Sequence, residues 1–123
     1  MKLSIRKDSQ PSGEATCQIE IHRGMNQGIL ILNLYLQNSC SKEKIKISQF
    51  RGDGLLLSTP IGSYCKSMAL NGPLMERSME NIMITAMCPL SMKFRTLCLP
   101  ASCLIFITID NNCRSDTAEI YID

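Results

Sequence analysis

The sequence predicts a mainly β fold, a β-sandwich of short strands carrying one small helix. Three observations lead there. Short apolar runs recur along most of the chain, each closed by a cluster of Gly, Pro, Asn, Asp or Ser. Some runs alternate apolar and polar residues with period two, as in Gln18-Ile19-Glu20-Ile21-His22, the pattern of a strand with one buried face. Tyr64 to Leu70 combines helix-forming residues with a clean stop at Asn71-Gly72-Pro73. At 123 residues the chain is at most one domain or a piece of one, long enough to bury roughly two thirds of its unfolded surface.

Taken in order, residues 7–16 are polar and rich in turn formers and read as a loop or cut edge. Cys17 to His22 reads as a half-buried strand, and Gly24 to Gly28 as a turn. Ile29 to Leu36 is a strongly apolar strand; Asn38 to Lys42 turns the chain, and Ile45 and Ile47 then alternate with Lys44, Lys46 and Ser48 to complete a hairpin. The Lys42 to Lys46 charges form its solvated edge, which also discourages edge-to-edge pairing. Arg51-Gly52-Asp53-Gly54 reads as a tight loop whose glycines permit positive φ and close backbone approach. Leu55-Leu56-Leu57 follows as a buried strand. Ser63 is the expected N-cap of the small helix. Asn81 to Met87, Phe94 to Leu99, Leu104 to Ile109 and Glu119 to Ile122 supply the remaining strands. Met75, Met79, Met83 and Met87 recur every four residues, but Ile82-Met83-Ile84 is strand-like and core filling is the default role of Met.

Composition removes several function classes. Thirteen basic and eleven acidic residues leave a net charge of +2, too little to draw the chain to nucleic acid or a membrane surface. Aromatics are 5% of residues, with no Trp, so stacking platforms for single strands are not expected. The seven cysteines (17, 40, 65, 88, 98, 103 and 113) contain no Cys-x-x-Cys pair, and there is one His. A tetrahedral zinc site is therefore not offered. An odd cysteine count, an N-terminus without a long apolar stretch and no run of spanning length point to a reduced, cytoplasmic location, an organelle not being excluded. His22, on a polar strand face, reads as a surface residue.

The densest site-like segment is Arg51 to Leu70. It offers a carboxylate on a tight turn, several hydroxyls and backbone N–H groups at a helix start, which together suit a ribose and a phosphate. Cys65 beside Lys66 reads as an inert cysteine rather than a reactive one.

These residues also carry a resemblance. Gly52-Asp53-Gly54-Leu55-Leu56-Leu57-Ser58-Thr59-Pro60-Ile61-Gly62-Ser63 resembles the NAD kinase signature, an Asp-Gly turn and strand leading into Ser-Thr-Pro-Thr-Gly-Ser-Thr-Ala-Tyr. Asn71-Gly72-Pro73 is similar to the family's Gly-Gly-Pro, and Ile82 to Arg95 resembles its Ile-Thr-Pro-Ile-Cys-Pro-His-Ser-Leu-Ser-Phe-Arg stretch. The likeness runs over residues 17–123, leaving 1–16 as a polar N-terminal segment. It implies the C-terminal β-sandwich domain of an enzyme that moves a phosphoryl group from ATP, or polyphosphate, to the 2′-hydroxyl of the NAD adenosine ribose. Such transfer uses a divalent metal, Mg, and a proton acceptor. In the family the acceptor belongs to a Gly-Gly-Asp-Gly-Thr loop on a separate N-terminal domain, a motif this sequence does not contain. No catalytic residue or metal ligand is therefore expected here.

Matched by position, the resemblance assigns NAD binding to Asp53, with Arg51 beside it where some members carry a basic ligand residue. Tyr64, Cys65 and Lys66 stand at the Thr-Ala-Tyr positions, flanked by Ser63 and Ser67, and Cys17 and Gln18 stand at the family's Asn-Glu. It also implies self-association into a homo-oligomer. Because Lys66 replaces an aromatic residue and Cys17-Gln18 replaces Asn-Glu, a second reading stays open, that of a non-catalytic or truncated relative acting as an oligomerisation or regulatory module.

Overall fold

The computed structural model describes residues 1–7, 10–38, 42–114 and 116–123. In chain order the strands are β1 (Leu3–Lys7), β2 (Gln10–Ala15), β3 (Gln18–His22), β4 (Leu30–Gln37), β5 (Ile45–Gly52) and β6 (Gly54–Ser58), then β7 (Asn81–Met87), β8 (Leu97–Pro100), β9 (Leu104–Ile109) and β10 (Glu119–Ile122). A 3-10 turn at Gly62–Tyr64 leads into the short helix α1 (Lys66–Ala69).

Two antiparallel sheets face each other. One has five strands in the order β10-β3-β6-β7-β8, the other three in the order β5-β4-β9. The period-two alternation of β4 sends Leu30, Leu32 and Leu34 inward, where they meet Ile21 of β3, Leu55 of β6, Ile84 of β7 and Phe50 of β5. Phe94 closes on Phe50 edge-to-face, ring centres 5.5 Å apart, a favoured aromatic geometry. The expected mainly β sandwich is the observed one.

Three local expectations are corrected. Residues 10–15 of the segment read as a loop are strand β2, paired antiparallel with β1. Leu3 and Ala15 bury against Ile19 and Ile82. The pattern hid this because Ala15 is the buried residue of β2, while Gln10, Pro11 and Ser12 are exposed. The tight Gly52-Asp53-Gly54 loop is a crossover between sheets, β5 and β6 lying in different ones with Asp53 alone between them. Neither glycine adopts positive φ. Their role is close approach, since a Cβ on Gly52 would fall 2.5 Å from the Cys88 carbonyl oxygen and one on Gly54 2.3 Å from that of Ile21.

Ser63 does not cap the helix. It lies inside the 3-10 turn, and the residue before α1 is Cys65, which makes no side-chain cap. Asn71 does end the helical segment, in the left-handed region at φ 59°, a conformation Asn tolerates better than most residues. Of the four regularly spaced methionines, Met75, Met83 and Met87 are buried. The turn between β4 and β5, with Cys40, lies outside the described residues except for its ends.

Candidate functional site

The outer face of the five-stranded sheet carries the site. Strand β3 points Ile19 and Ile21 into the core, which leaves Gln18, Glu20 and His22 on the opposite face. The segment around α1 is pinned over that face from beneath. Ser67 Oγ lies 3.1 Å from Thr85 Oγ1 of β7. Ser63 Oγ donates to the Pro60 carbonyl at 2.6 Å and accepts from the Met75 amide at 3.0 Å. Both serine side chains are fully buried, so their hydroxyls are committed to holding the helix rather than turned to solvent.

Pairing in register sets His22 opposite Gly54, which brings the turn after β3 against the crossover. Arg23 N donates to the Asp53 carbonyl at 3.0 Å, and Arg23 Nε donates to Asp53 Oδ1 at 2.8 Å. A cleft of about 380 Å³ opens there, bordered by His22, Arg23, Asp53, Lys66, Met87 and Cys88. Lys66 reaches it from α1 and pairs with Glu20 Oε2. His22 Nδ1 accepts the Gly24 amide at 2.8 Å, so in the neutral ring Nε2 carries the proton and is a donor. The same ring stacks on Tyr121 of β10, centres 4.9 Å apart and planes within 4°. Cys88, at the end of β7, holds φ 46°, an uncommon backbone state for a side chain of this kind.

One carboxylate, two cations and an imidazole donor therefore share a cleft. A carboxylate accepts hydrogen bonds from vicinal sugar hydroxyls, and cations meet phosphate oxygens. The Arg23–Asp53 pair is half open to water, its side chains 35% and 47% exposed, so it is worth little to stability and is free to exchange partners with a ligand. In the other pair Lys66 is half exposed while Glu20 is largely covered.

A second cluster sits at the other end of β3. Asp123 Oδ1 accepts from the Cys17 amide at 3.2 Å and the Gln18 amide at 3.1 Å. The Cys17 thiol also bonds Asp123, and that carboxylate first and burial second push the thiol above its ordinary value. Desolvation works to raise Asp123 itself, yet the N–H groups of Gln18, Cys17 and Thr16, with the Cys17 thiol, outweigh it and hold this carboxyl below the usual range. A depressed carboxylate adds stability that is complete above its unfolded value, near 3.8, and is lost as pH falls through the folded one. The thermal midpoint is therefore expected to fall more steeply below about pH 4 for this chain than for Asp123→Asn. Parallel slopes in circular-dichroism melts would remove Asp123 from the acid response.

The predicted residues thus divide. Asp53 and Lys66 share the cleft; Cys17 and Gln18 gather on Asp123, with Cys65 beside Cys17. The Gln18 side-chain oxygen is buried without a hydrogen-bond partner, as is Oγ of Ser58, its cross-strand neighbour. Arg51 stands apart on the three-stranded sheet, its Nη2 3.4 Å from Gln49 Oε1, in a separate depression with Lys93 and Phe94. Tyr64 is half exposed beneath Arg77, whose guanidinium lies 5.9 Å from the ring centre. His22, read as a surface residue, is half-buried and belongs to the cleft. No local sequence pattern marks Arg23, Glu20, Tyr121 or Asp123 as a site residue. Register is the signal that finds the first of these, because pairing β3 with β6 places residue 23 beside Asp53.

Among the described residues no group of three or more His, Cys, Asp or Glu side chains is placed to hold a metal ion. Among the described residues no helix is long and apolar enough to cross a membrane.

Known proteins share this fold and much of this sequence. The family model of the ATP-NAD kinase C-terminal domain matches residues 18–123. NAD kinase 1 of Thermosynechococcus vestitus is 47% identical over 55 residues, 45% of this chain and 18% of that protein. The mitochondrial NADH kinase of Schizosaccharomyces pombe is 30% identical over 97 residues, 79% of this chain and 24% of that protein. Among solved structures, yeast NADH kinase complexed with NADH aligns with a TM-score of 0.82 at 26% identity, covering 99% of this chain and 34% of that one. The fold is that of a kinase C-terminal domain of this type. The chain belongs to the NAD kinase family, as its C-terminal domain, and spans about a quarter or less of the length of these two curated relatives.

Proposed function

We propose that this chain is the NAD-binding portion of an NAD kinase, which phosphorylates the 2′-hydroxyl of the adenosine ribose to give NADP. The observation that carries the reading is the convergence of Asp53 and Lys66, with Arg23 and His22, on one cleft of this fold. Asp53 accepts ribose hydroxyls, exchanging its bond to Arg23 for them. Lys66 and the freed Arg23 meet the pyrophosphate, and the His22–Tyr121 stack forms a flat apolar flank. ATP, the divalent ion and the proton acceptor belong to the Gly-Gly-Asp-Gly-Thr half of the complete enzyme, and no ligand for the ion is assigned to this chain. Self-association is part of the same reading.

Isothermal titration with NADH tests it. Binding is expected, and Asp53→Ala is expected to weaken it roughly 10- to 100-fold, the worth of about 1.5–3 kcal/mol for hydrogen bonds to a charged group. Heat equal to the buffer blank at millimolar NADH and at millimolar NAD alike, with the strand signal in circular dichroism intact, would sink the proposal.

That outcome would favour a non-catalytic module, a reading with its own support. Lys66 stands at the family's Tyr position and is held by Glu20. In that case Lys66→Tyr combined with Cys17→Asn would restore no binding.

A further inference from the structure

Cys17 and Cys65 lie 48 positions apart (65 − 17) in the sequence, yet the fold sets them side by side. The Cys17 carbonyl accepts both the amide of Thr59, at 2.9 Å, and its hydroxyl, at 3.2 Å. Thr59 Oγ1 in turn accepts the Gly62 amide at 3.1 Å. Gly62 packs so tightly on this carbonyl that a Cβ would lie 3.3 Å from Cys17 Cα, less than the separation of neighbouring Cα atoms along a chain. Cys65 follows one tight turn later, its amide donating to the Gly62 carbonyl at 3.0 Å. The segment 59–65 is thus wrapped onto residue 17, which brings the Cys65 side chain close enough to act on the Cys17 thiol. Cys65 is exposed and Cys17 half-buried, both as free thiols.

We propose that Cys17 and Cys65 form a modification site, a dithiol that a low-molecular-weight disulfide of the glutathione class converts to an intramolecular disulfide. The exposed Cys65 thiol loses its proton to solvent and its sulfur attacks the reagent, forming a mixed disulfide and releasing one thiolate. Cys17, oriented by Asp123, attacks the Cys65 sulfur and displaces the second thiolate, which takes up the Cys17 proton. Two protein thiols are oxidised and one disulfide is reduced to two thiols, so electrons and protons balance. Cys17, raised by Asp123, must also attack as thiolate, and as the resolving thiol it does so within one molecule, where proximity offsets its smaller thiolate share. The bond ties the start of β3 to the turn that heads α1, next to Lys66. Closing a loop of this length restricts the unfolded chain and stabilises the folded one.

The test equilibrates the chain with oxidised and reduced glutathione at set ratios, traps thiols with an alkylating reagent and maps peptides without reduction. Expected is a Cys17–Cys65 cross-link in monomeric protein that reverts on adding dithiothreitol, with a higher thermal midpoint for the oxidised form. Cys17→Ser is expected to stop at glutathione on Cys65, and Cys65→Ser to leave Cys17 unmodified. A wild-type chain left unmodified, carrying only glutathione adducts, or cross-linked only through Cys40, Cys88, Cys98, Cys103 or Cys113, would overturn the proposal. The outcome does not depend on NADH binding, so it stands or falls separately from the functional reading.

Discussion

Phe50→Ala is expected to lower stability by about 3–5 kcal/mol, the range for truncating a buried aromatic. Phe50 is fully buried and is where the two sheets and the crossover meet. It packs among Leu30, Leu32, Leu34, Leu55 and Ile84 and receives Phe94 on its edge. Its ring also fills the space beside Gly52, where an added Cβ would come within 2.6 Å of it. Against the ~5–15 kcal/mol that folded domains possess, this is a large share, equivalent to a fall in melting temperature of roughly 10–20 °C. Ile45→Ala on the same strand is the control. Ile45 is 59% exposed, so its loss is expected to stay within about 0.5 kcal/mol. Thermal melts decide it, and equal falls for the two variants would mean that Phe50 does not join the sheets.

Much of the sandwich is legible from the amino acids. Strands β7, β9 and β10 fall where apolar runs end at Cys88-Pro89, at Asp110-Asn111-Asn112 and near the final Asp123. Buried runs are visible because burial is written in residue type. The β1–β2 hairpin is hidden because it presents polar residues on both faces and rests on the sheet through few side chains, Leu3 and Ala15 among them. The strand expected from Phe94 to Leu99 begins at Leu97 because Phe94 turns aside to pack on Phe50. Of the site, Asp53 and Lys66 are recoverable from motif position. What a hydroxyl does is not: Ser63 and Ser67 are turned inward by Pro60, Met75 and Thr85, partners that only tertiary packing supplies. Arg23 with Asp53 and Cys17 with Asp123 are equally invisible, since nothing in a local period records pairs 30 and 106 residues apart.

Gly62→Ala is expected to damage the site more than the fold, and the reason is steric. Gly62 has no positive φ to accommodate, so alanine suffers no backbone penalty there and would even gain about 0.4–1 kcal/mol from a stiffer unfolded chain. Against that gain stands contact with rigid backbone, the new Cβ lying 2.0 Å from the Cys17 carbonyl oxygen and 2.7 Å from its carbon. That oxygen is already the acceptor of Thr59 N and Oγ1, so it cannot recede without losing both bonds. The 3-10 turn must move instead, carrying Cys65 and Lys66 away from β3 and opening the Lys66–Glu20 pair. Overpacking of this kind costs about 1–3 kcal/mol. Gly28→Ala separates the cause, because there the Cβ would meet Arg114 at an ordinary 3.5 Å, and stability is expected to be unchanged or slightly raised. Denaturant melts together with NADH titration on both variants read the two effects apart. If Gly62→Ala melts with Gly28→Ala and binds NADH as the parent does, the turn does not rest on Cys17, and the placement of Lys66 in the cleft loses its structural cause.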